Sequence, residues 1–313
     1  MHVIRDPMRA TGLPRGGVGT IGNFDGVHLG HRKILETVVS RAREAERGSF
    51  AITFEPHPMA VLRPDRAPRR IQTLRQKEET LEAIGIETLL VIPFTRDFSL
   101  TEPEDFVREL LGDRLGASEL YLGAHFAFGR GKRGDLALLR RLGAECGFAV
   151  EAVEEVFYEG EPISSTRIRR ALERGAAAEA NAMLGREYEL DGLVARGDRV
   201  GHRIGVPTIN LEPENELTPA DGVYVTEVEI RSVGRRLPSV TNIGRRPTLY
   251  EATATTIETF VLDFSDDVYG ERVRLFFRDR LREERKFPSV EALKTQIQQD
   301  VVETRRYFER LRG

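Results

Sequence analysis

Two different hydrophobic patterns divide the chain near residue 185. Before that point, short apolar runs alternate with segments in which apolar side chains recur at the spacing of a helix. The runs predicted to be strands cover 18–22, 50–54, 88–92, 119–123 and 148–156, and the helical spacing is clearest at 34–42 and 136–145. Strands that alternate with helices are typical of a parallel sheet covered on both faces, whose ligands bind beyond the carboxyl ends of the strands.

The second part of the chain has a pattern typical of a small antiparallel barrel. After 176–184, strand-like runs follow one another without helices between them, and Gly and Pro residues separate them. These runs are 189–195, 223–230, 237–242, 256–264 and 272–277. A terminal helix is predicted from an apolar stripe made of Val290, Leu293, Ile297, Val301, Phe308 and Leu311. We therefore expect an α/β domain at 1–185 and a β-barrel domain with a terminal helix at 186–313.

The composition agrees with two packed domains and limits the classes of partner. A length of 313 residues is about twice that of a typical single domain, and 40% hydrophobic residues suffice for two cores. The net charge of −3 argues against a general nucleic-acid binder, and no apolar run approaches the roughly 18 residues of a membrane span. The single cysteine, Cys146, cannot form an intramolecular disulfide, which favours a reducing compartment. We expect a cytoplasmic protein that binds neither nucleic acid nor a membrane, and its oligomeric state stays open.

The first chemical motif follows the first predicted strand of the α/β domain. It is the segment 22–31, Gly-Asn-Phe-Asp-Gly-Val-His-Leu-Gly-His, at whose end a helix is predicted to start. Glycines allow phosphates to approach the backbone, and a helix N-terminus offers free N–H groups. His28 and His31 lie on one side of the first helical turn, where they can donate hydrogen bonds to phosphate oxygens. The alternative is a pair of capping or surface histidines.

This segment resembles the signature of bacterial FAD synthetases in the nucleotidylyltransferase superfamily, which implies a Rossmann-like domain. The resemblance continues at 53–58 and 163–169. It implies that the domain adenylylates FMN to FAD, with pyrophosphate released. The residues that it assigns to ATP are Gly22, Phe24, His28, His31, Ser164, Ser165, Thr166 and Arg167. Without the resemblance, the hydroxyl groups at 164–166 would be read as an ordinary helix N-cap.

The segment 122–135 resembles the part of the same family that contacts flavin and ATP. The resemblance implies flavin contacts by His57, His125, Phe126 and Phe128. The chain departs from the family here in two places. It has His125 where Asp or Asn is usual, and Ala127 where Arg is common.

The second chemical motif lies in the barrel domain at 192–210, where glycines precede a Pro-Thr-x-Asn sequence. Glycines permit a flap to close over phosphates, and the oxygens of Thr208 and Asn210 are hard ligands that suit Mg²⁺. From composition alone, a hairpin loop with ordinary turn residues would explain the same segment.

Pro-Thr-x-Asn at 207–210 resembles the riboflavin kinases, and four further family motifs follow in order. They lie at 221–224, 241–248, 258–264 with 269–270, and 281–287. The resemblance implies that Thr208 and Asn210 bind Mg²⁺ and ATP phosphates, and that Glu258 accepts a proton from the ribityl 5′-hydroxyl of riboflavin. The remaining residues that it assigns to ATP are Gly197, Gly201, His202 and Gly205. His202 is a departure, because Lys or Arg is usual there.

Together the two resemblances imply a bifunctional enzyme that converts riboflavin to FMN and FMN to FAD. Its substrates and products would be riboflavin, FMN, FAD and ATP, with Mg²⁺ as the cofactor. Two alternatives remain at this point. One is a monofunctional riboflavin kinase whose first domain is impaired by the changes at His125 and Ala127. The other is a flavin- or nucleotide-binding regulator without turnover.

Overall fold

The computed structural model describes residues 1–195, 207–246 and 254–312, which divide into two compact units. The first unit comprises Met1–Arg69 and Leu74–Ser164, and the second comprises Arg70–Thr73 and Ser165–Gly313. The units are defined by compactness, so the functional domain boundary expected at residue 185 stays a prediction.

The first unit is built on a six-stranded parallel sheet with the order β1–β4–β3–β2–β5–β6. The strands are β1 (His2–Arg5), β2 (Val18–Ile21), β3 (Ser49–Glu55), β4 (Thr88–Pro93), β5 (Glu119–Gly123) and β6 (Ala149–Val153). The helices are α1 (Leu29–Glu44), α2 (Pro58–Leu62), α3 (Leu74–Ile84), α4 (Pro103–Phe106), which continues as a π-helical segment (Val107–Arg114), and α5 (Leu136–Cys146). A short hairpin, β7 (Phe157–Tyr158) and β8 (Glu161–Pro162), follows the sheet.

Helices cover both faces of the sheet, as the alternating pattern predicted. Leu89 and Leu90 are neighbours in β4 and are fully buried in different cores, because successive strand residues point to opposite faces. One core packs α1 and α3 against the sheet. The other packs α5 and the segment 103–114 against the opposite face. Burial of these apolar faces explains why the parallel sheet forms.

The order of the strands places the β2–α1 loop at a special position. Strand β2 pairs with β3 on one side and with β5 on the other, so the direction of the strand order changes between β2 and β5. Parallel α/β sheets form a crevice at such a point, beyond the carboxyl ends of the strands. The loop that carries His28 and His31 therefore opens at the crevice where a ligand is expected.

The second unit contains a closed barrel with the order β10–β13–β12–β11–β14–β9, in which neighbouring strands are antiparallel. Helices α6 (Ser165–Glu173) and α7 (Ala177–Leu184) precede it. The strands are β9 (Tyr188–Ala195), β10 (Ile209–Pro213), β11 (Gly222–Ile230), β12 (Arg235–Arg246), β13 (Ala254–Val261) and β14 (Arg272–Arg282), and the chain continues into α8 (Val290–Arg312).

A side-chain amide attaches α7 to the barrel. The Nδ2 group of Asn181 donates to the carbonyl oxygen of Phe277 in β14 at 2.7 Å, while its Oδ1 accepts from the N–H of Tyr188 in β9 at 2.7 Å. These bonds satisfy backbone groups of two neighbouring strands. Helix α7 is therefore part of the compact barrel unit.

Four hydroxyl groups form a hydrogen-bonded chain inside the barrel. Thr226 lies 2.8 Å from Ser239 and 2.7 Å from Thr241, and Thr241 lies 2.9 Å from Thr259, measured between hydroxyl oxygens. All four side chains are 0% exposed. Buried hydroxyls are stable when they are hydrogen-bonded, so this chain replaces apolar packing at the centre of the barrel.

The apolar stripe that the sequence predicted for helix α8 contributes to its attachment, because Val301 packs against the buried cluster of Val223, Val240 and Leu262. Val290 and Leu311, at the two ends of the stripe, are exposed. The most buried side chains of the helix are instead Asp300 and Thr304. Asp300 accepts two hydrogen bonds of 2.8 and 3.0 Å from the guanidinium of Arg282 at the end of β14. A charge-assisted pair thus fixes the helix at its centre.

The predicted α/β domain and antiparallel barrel are confirmed, although several elements were not predicted. Strands β1 and β10 are short, and β10 contains Asn and Pro, which are uncommon in strands. Helix α3 has little apolar content apart from Leu74, Leu81 and Ile84. Within the described part of the chain, no helix is long and apolar enough to cross a membrane.

The hydroxyl chain predicts the effect of a nearly isosteric substitution. Thr241→Val should lower the free energy of unfolding by about 1–3 kcal/mol, because Thr226 and Thr259 each lose a buried partner. Thr255→Val is the matched control, since Thr255 is exposed on β13, and it should change stability by less than about 0.5 kcal/mol. Equilibrium urea unfolding followed by tyrosine fluorescence measures both values. Equal stabilities of the two variants would show that the interior hydroxyl is dispensable.

Candidate active sites

The two histidines of the β2–α1 loop form a stacked pair at the start of α1. Their ring centroids are 3.7 Å apart, with 20° between the ring planes, and the ring of Phe24 meets His31 edge-on at 5.4 Å. His28 is the N-cap residue, and its Nδ1 accepts from the N–H of His31 at 3.3 Å. The sequence prediction that both imidazoles share one side of the first turn is confirmed. The N-terminus of α1 is therefore capped by one imidazole and lies beside a second.

The loop holds its histidines through unusual backbone geometry. Phe24 and Val27 have φ angles of 46° and 36°, a region that side chains other than glycine rarely adopt. Both side chains are almost fully buried, so packing holds the strained backbone in place. Gly30 lies close to both neighbours, because a Cβ atom there would lie 3.2 Å from the ring of His28, which is tighter than most contacts, and 4.0 Å from the carbonyl oxygen of Ile163. The segment that precedes Ser164 thus lies next to the start of α1.

His31 is held in the neutral form by its surroundings. Burial lowers the pKa of His31 well below its usual value, and the nearby charges of His28 and Lys77 lower it further. Its Nδ1 atom is buried and has no hydrogen-bond partner within the described part of the chain. A neutral imidazole has one N–H donor and one acceptor nitrogen, so His31 can donate a hydrogen bond without carrying a charge.

Lys77 belongs to this site and was missed at the level of sequence. It lies on α3 and is only 6% exposed. Its Nζ donates to the carbonyl oxygen of Asn23 at 2.8 Å and to the hydroxyl of Thr53 at 3.4 Å. A signal was present, because Lys77 lies three residues after Leu74 and four before Leu81, on the apolar side of the helix.

The four residues assigned to flavin occupy different environments. His57 is the N-cap of α2, and its Nδ1 accepts from the N–H of Met59. His125 is exposed, and its Nε2 lies 3.6 Å from a carboxylate oxygen of Glu155. The rings of Phe126 and Phe128 stack at 5.5 Å, and Phe128 is buried in the core. The buried ring of Phe128 therefore supports the ring of Phe126 by stacking against it. The assignment of these residues to flavin remains a prediction.

Among the other residues assigned to ATP in this half of the chain, Ser164 closes the first unit and Ser165 begins α6 of the second. Ser165, Thr166 and Arg167 form the first turn of that helix. The hydroxyl groups of Ser165 and Thr166 thus lie at the start of a helix, as the motif predicted.

The barrel places the candidate base between two asparagines. Glu258 in β13 is directly opposite Asn210 in β10 and directly opposite Asn242 in β12. Residues that are directly opposite in a sheet point to the same face, and their Cβ atoms are about 5 Å apart. The neighbours of Glu258 along the strand, Ile257 and Thr259, are buried inside the barrel. Glu258, Asn210 and Asn242 therefore lie together on its outer face.

A cavity of about 270 Å³ lies at the strand that carries Asn210. Its lining includes Thr208 and Asn210 together with the loop that follows β13, namely Phe264, Ser265, Asp266, Asp267 and Tyr269. Phe264 and Tyr269 come from motifs that the sequence singled out, whereas Asp266 and Asp267 were not predicted. The predicted ATP-binding residues Gly197, Gly201, His202 and Gly205 lie outside the described residues.

Two of the barrel motifs meet at a glycine. A Cβ atom at Gly244 in β12 would lie 2.2 Å from a carboxylate oxygen of Glu284, so a larger residue there would displace that exposed side chain. Glu284 follows β14 and Gly244 lies two residues after Asn242, on the same face of the strand. By contrast, the motif residue Tyr224 is buried, and its hydroxyl donates to the carbonyl oxygen of Ala220 at 2.5 Å. Tyr224 therefore has a structural role.

Comparison with known proteins gives a match to a different family in each half of the chain. Residues 11–167 match the FAD synthetase family, and residues 184–308 match the riboflavin kinase family.

Curated relatives match the chain over nearly its whole length. The chain is 36% identical over 310 residues to the bifunctional riboflavin kinase/FMN adenylyltransferase of Escherichia coli strain K12, covering 98% of each chain. It is 38% identical over 291 residues to the protein of the same name from Pseudomonas fluorescens, covering 93% of each. It is 35% identical to that of Bacillus subtilis strain 168, covering 94% of this chain and 93% of the relative. A solved structure named as a macrolide-efflux protein from Streptococcus pneumoniae is 29% identical, with a TM-score of 0.89, and covers 97% of this chain and 99% of its own.

The depressed pKa of His31 predicts that acid destabilises the first unit. Because the unfolded chain binds a proton at His31 near pH 6.5 and the folded chain binds it only at lower pH, stability falls as the pH decreases through this window. The loss should reach up to about 1.4 kcal/mol per pH unit. His31→Gln cannot titrate, so its urea midpoint should change less between pH 7 and pH 5 than that of the natural protein. Parallel curves for the two proteins would contradict the prediction.

Proposed function

Because the chain belongs to the family of bifunctional riboflavin kinases/FMN adenylyltransferases, it is an enzyme of FAD biosynthesis with both activities, and we propose that each of the two sites carries one of them. The barrel phosphorylates riboflavin to FMN with ATP. The α/β unit transfers the adenylyl group of a second ATP to FMN, which gives FAD and pyrophosphate. The observation that carries this assignment is that Glu258 and Asn210 are direct partners across the barrel, beside the cavity lined by Thr208.

In the kinase reaction, the ribityl 5′-hydroxyl of riboflavin attacks the γ-phosphorus of ATP. Glu258 accepts the proton of that hydroxyl, and the bond between the γ-phosphorus and the bridging oxygen breaks to release ADP. The asparagines on both sides give Glu258 polar neighbours.

The residues around Asn210 are chemically suited to Mg²⁺. Thr208 and Asn210 would hold the ion, since their oxygens are hard ligands and the carboxylates of Asp266 and Asp267 line the same cavity. When bound, the ion supplies positive charge to the phosphates. The described residues contain no cluster of three or more His, Cys, Asp or Glu side chains that could hold a metal. This agrees with an ion that takes few protein ligands and otherwise binds phosphate oxygens and water.

In the adenylyl transfer, a phosphate oxygen of FMN attacks the α-phosphorus of ATP, and the bond to the bridging β-phosphate oxygen breaks. Negative charge then increases on the leaving pyrophosphate. The free N–H groups at the start of α1 and the imidazoles of His28 and His31 stabilise this charge by donating hydrogen bonds. Ser164, Ser165, Thr166 and Arg167 contribute further donors to the phosphates by resemblance to the family.

We assign flavin contacts in the same reaction to His57, His125 and Phe126, with Phe128 as a support. His125 and Ala127 depart from the family, so they are the positions at which an impaired adenylyl transfer would originate. Incubation of the protein with riboflavin, ATP and Mg²⁺ tests this, because accumulation of FMN without FAD would identify a monofunctional kinase. We place both reactions in the cytoplasm, which the single cysteine supports.

Glu258→Gln should slow formation of FMN by roughly 10²–10⁴-fold, the usual contribution of a general base. Conversion of supplied FMN to FAD should be nearly unchanged. Glu229→Gln is the matched control, because Glu229 is an exposed carboxylate on β11 of the same barrel, and it should retain both activities. Product assays by chromatography distinguish FMN from FAD. Retention of kinase activity by Glu258→Gln would remove this residue from the proposed mechanism.

His31→Ala should slow formation of FAD by roughly 10²-fold or more, as expected when a donor to the transition state is lost. Phosphorylation of riboflavin should be spared. His2→Ala removes an exposed imidazole of the same unit and should have no effect on either rate. An equal loss of both activities in His31→Ala would argue against two separate sites.

A further inference from the structure

Lys77 places a positive charge in the interior of the first unit, next to the loop that binds phosphate in the proposed mechanism. Burial of an ammonium group is costly unless it finds polar partners. At least two partners are present, the carbonyl oxygen of Asn23 at 2.8 Å and the hydroxyl of Thr53 at 3.4 Å. The hydroxyl of Thr53 also donates to the carbonyl oxygen of Asn23, at 3.3 Å.

The Asn23 carbonyl is a sensitive point of the loop. It belongs to the residue before Phe24, whose backbone has a positive φ, and five residues before the N-cap His28. Two donors from two different elements, α3 and β3, hold this one oxygen. Their combined effect is to fix the direction of the chain as it leaves β2 and turns toward α1.

The charge of Lys77 also acts beyond its hydrogen bonds. Groups that act on His31 include the stacked imidazole of His28 and, from α3, the ammonium of Lys77. Together with burial, their charges lower the pKa of His31. A fixed cation at this place also attracts the phosphates of ATP in a region of low dielectric constant.

We propose that Lys77 is a positioning residue for adenylyl transfer, which holds the Asn23 carbonyl of the phosphate-binding loop and supplies a buried positive charge beside His28 and His31. The proposal rests on the assignment of this loop to adenylyl transfer. It identifies a residue outside the sequence motifs. A merely structural lysine would support the fold without changing the electrostatics of His31, so the two roles are separable.

The test uses Lys77→Met in the full-length protein. The kcat for conversion of FMN to FAD should fall about 10- to 100-fold, while phosphorylation of riboflavin by the other unit should stay within about twofold, which reports a folded barrel. The NMR titration of the His31 imidazole, assigned by its loss in His31→Ala, should move to higher pH. Lys33→Met is the matched control, because Lys33 lies on α1 and its amine pairs with Glu154. It should change neither measurement.

Thr53→Val separates the hydrogen bond from the charge. It should lower the kcat for FAD formation without moving the titration of His31. If Lys77→Met leaves either the kcat or the His31 titration unchanged, the proposal is wrong. If it also lowers kinase activity, the fold is disturbed, and Lys77→Arg decides instead. Retention of FAD formation and of the His31 titration in Lys77→Arg would support the role of the charge, and loss of either would overturn it.

The same experiments separate this inference from the proposed site. If His31→Ala still forms FAD at the natural rate, the assignment of the β2–α1 loop is wrong. If His31→Ala loses FAD formation and Lys77→Met does not, the site stands and the role of Lys77 falls.

Discussion

Inside the barrel, a chain of hydrogen bonds joins the hydroxyl groups of four residues on three neighbouring strands, namely Thr226, Ser239, Thr241 and Thr259. These hydrogen bonds form only in the observed alignment of β11, β12 and β13. A shift of β13 by one residue would turn every side chain to the opposite face. Glu258 would then enter the interior, where an unpaired carboxylate is strongly unfavourable, and Thr259 would leave its partners. The position of Glu258 on the outer face, where we propose the kinase site, therefore depends on hydrogen bonds within the barrel, because they determine which residues face outward.

The α/β unit meets a similar requirement through packing. The β2–α1 loop turns sharply, with Phe24 and Val27 at positive φ, and both side chains are almost completely buried. Burial of these side chains offsets the backbone strain. Hydrogen bonds from Lys77 and Thr53 to the carbonyl oxygen of Asn23 also hold the loop. The consequence is a rigid approach to the start of α1, where the stacked histidines and the free N–H groups meet.

In the proposed mechanism, the two sites differ in the chemical groups that their reactions require. Transfer to the ribityl hydroxyl needs an acceptor for a proton, and the barrel offers the carboxylate of Glu258 among oxygen-bearing side chains. Adenylyl transfer starts from a phosphate that is already ionised, so no base is needed, and the α/β unit offers N–H donors and imidazoles for the departing pyrophosphate. Helix α8 supports the first arrangement through the Arg282–Asp300 pair, because Arg282, Val223, Asn242 and Glu258 follow one another across adjacent strands.

Local patterns in the sequence determined the type of most elements and the identity of most candidate site residues. Apolar periodicity predicted the sheet and the barrel, and the motifs around His28, Thr208 and Glu258 indicated both chemistries through their resemblance to two known families. Tertiary structure alone decided which distant residues meet. Lys77 approaches the loop from α3, Phe128 turns into the core, and the Arg282–Asp300 pair fixes α8 together with Val301 of the apolar stripe. The reason is physical: periodicity records how a segment divides between core and solvent, whereas a contact between segments far apart depends on how whole elements pack.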